Sequence, residues 1–206
     1  MNKLYFVFIA FALFCCACSQ DDPPGDGGSE DPVFSMYIEE IDGDSAGLVA
    51  GKSGIYLFTD VKKDSSEVLV MNSLFSNVKC PDGSCEHSVE FSFRNNSMEN
   101  FVMIDGLFLG NDSWEYGLKG MGLNLNTMAI HWSKPDGSVL YSDLISQPQD
   151  SAKYYFHIFD PVLYDPNEKG QTTLKMVVDF SCLMWDPAHV TVRNVKGNGV
   201  IGVAYQ

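Results

Sequence analysis

Leu174-Lys175-Met176-Val177-Val178-Asp179-Phe180-Ser181-Cys182 sets an apolar side chain at every second position from Leu174 to Cys182. Successive side chains of an extended chain point to opposite faces. This stretch, with Thr173 ahead of it, therefore reads as a strand with one face in a core. The same period recurs outward from it. Val89, Phe91 and Phe93 alternate with Ser88, Glu90, Ser92 and Arg94, and Met128, Ile130 and Trp132 alternate with Thr127, Ala129 and His131. Val190 and Val192 alternate with His189, Thr191 and Arg193. Residues 55–59, 67–75 and 153–159 carry apolar side chains on both faces and read as interior strands, and 199–205 reads as a last strand. Turn residues separate these runs: Asp42-Gly43-Asp44, Pro81-Asp82-Gly83, Pro135-Asp136-Gly137, Asp165-Pro166-Asn167 and Gly197-Asn198-Gly199. No segment sustains the 3.6-residue apolar period of a helix, and residues 111–126 are undecided. The pattern predicts an all-β protein, an antiparallel β-sandwich of many short strands.

The chain has 206 residues, 27 acidic against 13 basic, for a net charge of -14. That balance excludes nucleic acid as a partner, since phosphate binding needs clustered Lys and Arg. It also argues against docking on an anionic lipid surface through protein charge. With 45% hydrophobic and 19% charged residues, the composition excludes wholesale disorder.

The N-terminus reads as an address. Lys3 supplies a short positive segment, and Leu4 to Cys18 contains no polar side chain except the phenol of Tyr5. The run falls short of the ~20 residues a spanning helix needs and fits a signal peptide over residues 1–17. It ends in Leu13-Phe14-Cys15-Cys16-Ala17-Cys18, and polar chain follows. A small residue directly before a cysteine resembles the lipobox of bacterial lipoproteins, which implies that Cys18 is lipidated and becomes the mature N-terminus. Cys16 is the alternative, and an ordinary cleaved signal or a short membrane anchor are the rival readings. Several acyl chains on one cysteine hold firmly, because each buried CH2 contributes about 0.8 kcal/mol. Residues 18–32 then form a tether. Between Ser19 and Pro32 stand Asp21, Asp22, Asp26, Glu30 and Asp31 among Pro and Gly, with no apolar residue to offset the cost of ordering. Asp21 and Asp22 just after the cysteine resemble the export signal of surface-exposed lipoproteins of the Bacteroidota. That resemblance implies an outer-membrane protein, lipid-anchored and exposed at the cell surface, with a periplasm-facing lipoprotein as the alternative.

From residue 33 onward the chain is long enough to bury roughly 70% of its unfolded surface. A boundary is expected near residues 110–126, where Gly106, Gly110, Gly117, Gly120 and Gly122 cluster. It would divide an N-terminal β module over 33–110 from a second module over 111–206. Trp132 ahead of Asp136-Gly137, and the late strand Gly170-Gln171-Thr172-Thr173-Leu174-Lys175-Met176-Val177-Val178, resemble an immunoglobulin-like module of the PKD type over about residues 126–182. The turn family members write as aromatic-Gly-Asp-Gly is Lys134-Pro135-Asp136-Gly137 here, so the relation is that of a degenerate member. The resemblance implies one or two Ig-like modules. The first half is similar to the N-terminal β module of Bacteroidota lipoproteins, and no activity travels with that.

Cys80 and Cys85 enclose the turn-forming Pro81-Asp82-Gly83-Ser84, and in an oxidising compartment a structural disulfide is expected there. Its short loop would contribute about 2 kcal/mol. A redox pair would use a C-x-x-C spacing, and zinc would need two further ligands where only His87 stands near. Cys182 shares the apolar face of its strand and is expected to be a buried free thiol.

Catalytic motifs are missing from the sequence: H-E-x-x-H, G-x-S-x-G, a P-loop, and G-x-G-x-x-G after a strand. Ser76-Asn77-Val78-Lys79 matches S-x-x-K in form only. His87, His131, His157 and His189 form no ligand spacing; His157 shares a face with Tyr155 and Phe159. Asp42-Gly43-Asp44 lacks the later ligands of a calcium loop. No cofactor or metal is expected. Trp114, Tyr116 and Trp185 fall at loops or strand ends, where they cover the ends of the sandwich core or, if exposed, stack on sugars or fill a partner's pocket. Asp44-Ser45-Ala46 and Asp150-Ser151-Ala152 are similar to the Bacteroidota O-glycosylation sequon, which implies modification at Ser45 and Ser151. The expected function is therefore a non-catalytic binding or adhesion module at the cell surface, with a glycan or surface protein as its partner. A structural subunit of a surface appendage or envelope complex is the alternative, and a small glycan hydrolase is the third reading.

Overall fold

The computed structural model describes residues 33–63, 69–77, 87–95, 108, 114–117, 126–143 and 149–205, all within one compact unit, Pro32–Gln206. They form eleven strands: β1 Ser35–Glu40, β2 Ser45–Val49, β3 Tyr56–Lys63, β4 Leu69–Ser76, β5 Ser88–Asn95, β6 Glu115–Tyr116, β7 Asn126–Ser133, β8 Val139–Tyr141, β9 Tyr155–Tyr164, β10 Thr173–Trp185 and β11 Val192–Ala204. No described helix is long and apolar enough to cross a membrane.

The strand order is β2-β1-β11-β10-β8-β7-β5-β4-β3, with β9 on β10 and β6 on β7. Every pairing is antiparallel except the short parallel contact of β6 with β7. One rung, Trp185 opposite Tyr141, joins β10 to β8. On one side of it lie β9, β10, β11, β1 and β2; on the other lie β8, β7, β5, β4 and β3. The two runs fold over each other with rings between them. Phe91 of β5 meets Phe180 of β10 at 5.8 Å and Phe156 of β9 at 6.0 Å, and Phe93 meets Phe156 at 5.7 Å. The molecule is an all-β antiparallel sandwich closed along one edge by that rung.

The alternation in β10 drives this packing. Leu174, Met176, Val178, Phe180, Cys182 and Met184 are at most 2% exposed, and the residues between them face outward. Phe91, Phe93, Met128, Ile130 and Trp132 are buried in the facing layer. Each such side chain contributes about 1.5–3 kcal/mol on burial. At one end of the sandwich, Lys134 is buried over the Trp132 ring and ion-paired to Glu40 and Asp44, tying the β7–β8 turn to the β1–β2 hairpin.

Several expectations are corrected. Residues 110–126 do not divide the folded body: β5 pairs along its length with β7, and β1 pairs with β11. The stretch 126–182 supplies β7 to β10 but closes no core alone, because its inner faces pack against β5 and its strands lean on β11. The two modules expected over 33–110 and 111–206 therefore share one sheet. Gly197-Asn198-Gly199 is not a turn but the middle of β11. A Cβ on Gly197 would lie 2.5 Å from the Phe180 ring, and one on Gly199 would lie 2.2 Å from the Ser35 carbonyl oxygen. These glycines let β1 and β10 approach closely, which a turn signal in the sequence does not distinguish. Val190 and Val192 face out, 83% and 49% exposed, because the inward positions of β11 are the odd ones, Val195 to Val203.

β3 and β9, expected to be interior, are edge strands, each paired on one side only among the described residues. The edge of β3 is covered by the β9–β10 turn: Asn167 and Gln171 donate to the carbonyl oxygens of Thr59 and Val61, and Lys169 pairs with Asp60 at 2.6 Å. The β9 edge is interrupted by a bulge, where Asp160, at φ 49°, and Pro161 together oppose Met176. Among the described residues, the C-terminal strand β11 is paired on both sides from Val195 to Val200 and with β10 alone from Ile201 to Ala204. Cys182 is a buried free thiol, as its face predicts. Cys18, the tether to residue 32, and the Cys80–Cys85 pair lie outside the described residues.

Candidate functional site

β9 is amphipathic with two unlike faces. Phe156 and Ile158 point into the core. Tyr155, His157 and Phe159 point out, two residues apart along one strand. The Tyr155 and His157 rings stack at 4.6 Å and 24°, and Phe159 stands edge-on to His157 at 6.0 Å. Phe159 is 47% exposed; Tyr155 and His157 are half-buried.

Register extends this row into a surface. Tyr155 stands opposite Ser181, His157 opposite Asp179 and Phe159 opposite Val177. Across β11 these continue to Lys196, Asn198 and Val200, and across β1 to Glu39, Tyr37 and Ser35. The face thus joins a ring row to hydrogen-bonding groups. Burial, together with the neighbouring Asp179 carboxylate, raises the Tyr155 phenol. Lys196 pairs with Glu39 at 2.8 Å, so their charges cancel. Tyr37, 42% exposed, donates to Glu39.

A cavity of about 550 Å³ opens at the Tyr155 end of the row. Trp114, Tyr116, Tyr154, Tyr155 and His157 supply ring walls, and Glu115, Gln149 and Ser151 supply polar ones. The walls are fixed from several sides. The Trp114 backbone N–H donates to the Phe156 carbonyl at 3.2 Å, and the Tyr116 hydroxyl donates to the Tyr155 carbonyl at 2.8 Å. Gln149 accepts from the Leu183 N–H and donates to the Leu183 and Ser142 carbonyls. In the turn that follows, the Asp150 carboxylate accepts from the Ala152 N–H at 3.0 Å. The Tyr154 hydroxyl donates to Asn194 at 3.0 Å. A site held this way loses little side-chain entropy on binding.

Of the three rings offered for stacking, Trp114 and Tyr116 cover the end of the core, as the alternative reading expects, and Trp185 lies apart from them. Trp114 is 2% exposed, stacked on Phe108 at 5.3 Å and edge-on to Phe93 at 5.2 Å. Tyr116 is 6% exposed, and burial holds its phenol well above the usual value. Both plug the end of the core and reach the cavity only as its back wall. The physical reason is that β6, though short, pairs with β7 over the mouth of the sandwich. Trp185 is half-buried in the closing rung and is not part of the cavity wall. Ser45 is exposed on β2, and Ser151 is exposed on the cavity rim.

Sequence reasoning missed Tyr155, Phe159 and Tyr37 as surface rings. The available signal was Pro161, which lacks the N–H of an interior strand and marks β9 as an edge.

A second polar cluster sits on the opposite layer. His131 lies 3.5 Å from Glu90 and 3.2 Å from Asp143, with Tyr141 edge-on at 4.7 Å. Burial lowers its pKa, but the bonds to Asp143 and Glu90 outweigh that and raise it to about 9. It is an ion cluster bridging β5, β7 and the second residue after β8. Among the described residues, no three His, Cys, Asp or Glu side chains are placed to hold a metal ion.

Comparison with protein-family models finds no match, and neither the curated proteins nor the solved structures yield one. The site therefore rests on its own chemistry: preset ring faces, a rim of donors and acceptors, and a charge-balanced floor.

Proposed function

We propose that this chain is a lipid-anchored outer-membrane protein, exposed at the cell surface, whose β-sandwich is a non-catalytic binding module. The observation that carries the binding role is the Tyr155–His157–Phe159 row, presented on a polar sheet face beside a cavity. Rings held outward at the surface cost water contact, and ligand contact is what recovers it. Support for the anchor is the apolar run ending at Ala17-Cys18 and the acidic, Pro- and Gly-rich residues that follow. Such a tether would carry the module clear of the lipid surface. The net charge of -14 fits a module that stays off anionic headgroups except through its lipid.

The test is protease shaving of intact cells, with the parent chain and with Cys18→Ala. Loss of the parent protein on shaving, with release of the variant from the membrane fraction, is the expected result. Protection of the parent would place the module inside the envelope. Continued attachment of the variant would remove Cys18 as the anchor.

A further inference from the structure

We infer that the ligand of this module is a neutral saccharide, with one sugar ring seated in the cavity bounded by Tyr155 and His157 and the chain running over Phe159. The inference rests on the binding-module reading and adds the ligand's chemical class and its seat. Three observations carry it. First, the site combines ring faces with alternating donors and acceptors. A sugar has that same division, with C–H groups on its ring faces and hydroxyls around its edge that both donate and accept. Tyr155 offers the ring face turned away from His157, whose ring backs it, while Ser151 and Glu115 stand on the rim. Second, the size fits. A cavity of about 550 Å³ falls in the range of small-ligand pockets, and a flat protein partner would cross its mouth without filling it.

Third, the electrostatics select against a charged chain. The lysines of this face are already engaged, Lys196 with Glu39 and Lys175 over the Tyr164 ring. Within a chain of net charge -14, nothing on this face favours a sulfated or carboxylated polymer. Asp179 stands opposite His157 in the register, so this sheet face offers an acceptor for the hydrogen bonds of sugar hydroxyls.

The experiment is a printed array of neutral, sialylated and sulfated oligosaccharides beside unglycosylated extracellular proteins, probed with the full chain. Tyr155→Ala, His157→Ala and Tyr155→Phe are run in parallel, with thermal unfolding as the folding control. The expected result is binding to neutral oligosaccharides that weakens at least ~10-fold in each alanine variant, as for a truncated anchor residue, and is kept within about three-fold by Tyr155→Phe, which retains the ring. Binding confined to charged sugars or to unglycosylated protein overturns the ligand class but leaves the binding module standing. Neutral-sugar binding unmoved in folded alanine variants overturns the seat. Should an alanine variant fail to fold, a loss of binding in Phe159→Ser decides in its place. Binding to nothing on the array overturns both readings.

Discussion

At the scale of single residues, space and charge settle what type alone leaves open. Gly197 and Gly199 stand in β11 because the Phe180 ring, the Met36 side chain and the β1 backbone occupy the places their Cβ atoms would take. Gly199→Ala should therefore destabilise the protein by about 3 kcal/mol, since a backbone carbonyl cannot rotate away as a side chain can. Chemical denaturation of parent and variant checks this, and a change below about 1 kcal/mol would show that the sheet opens freely there. The same reasoning separates the aromatic residues. Trp114 and Tyr155 are both rings near strand ends, but only Tyr155 keeps a face toward solvent. Which of them meets a ligand depended on how β6 lies over the core, and no local pattern around Trp114 carries that information.

Strand edges set the element scale. The alternation of β5, β7 and β10 was legible because each has one apolar face and neighbours on both sides. β9 was read as interior because its outward row is aromatic, and an exposed ring row looks like a second buried face when only hydrophobicity is counted. The His131 cluster belongs to this scale too, since Glu90 and Asp143 reach it from β5 and from the second residue after β8. Its pKa, raised from 6.5 to about 9, makes a signed prediction. The folded state binds the proton more tightly than the unfolded chain. The contribution is thus complete below about pH 6.5 and lost as pH rises through 9. With the His131 side chain 28% exposed, about 1–2 kcal/mol remains after screening. Stability measured from pH 6 to pH 10 should fall more steeply in the parent than in His131→Gln. Equal slopes would mean that the cluster adds nothing to folding.

For the whole molecule, the decisive feature is that the first and last strands pair. β1 lies against β11, and β5 against β7 across the glycine-rich middle of the chain. Among the described residues the core is built from strands of both halves, so the body should unfold in a single calorimetric transition. Two resolved transitions would restore the two-module arrangement. β1 flanks β11 only from Val195 to Val200, so among the described residues a subunit that swaps the segment from Val200 onward would open chiefly the β10 ladder.

The sequence by itself determined the class of the fold, the inward faces of β5, β7 and β10, the buried thiol of Cys182 and the hairpin turn at Asp136-Gly137. These are local: a two-residue period and a turn residue act within a few bonds of themselves. Only the tertiary structure decided which strands became edges, which glycines marked contact instead of turning, and which rings faced water. Each of those depends on strands distant in sequence arriving alongside, as β1 does at Gly199 and β6 does at the start of β9. The candidate site is of the second kind. Its ring row was visible in Tyr155, His157 and Phe159, but its use as a surface follows from the packing that turns Phe156 and Ile158 of the same strand into the core.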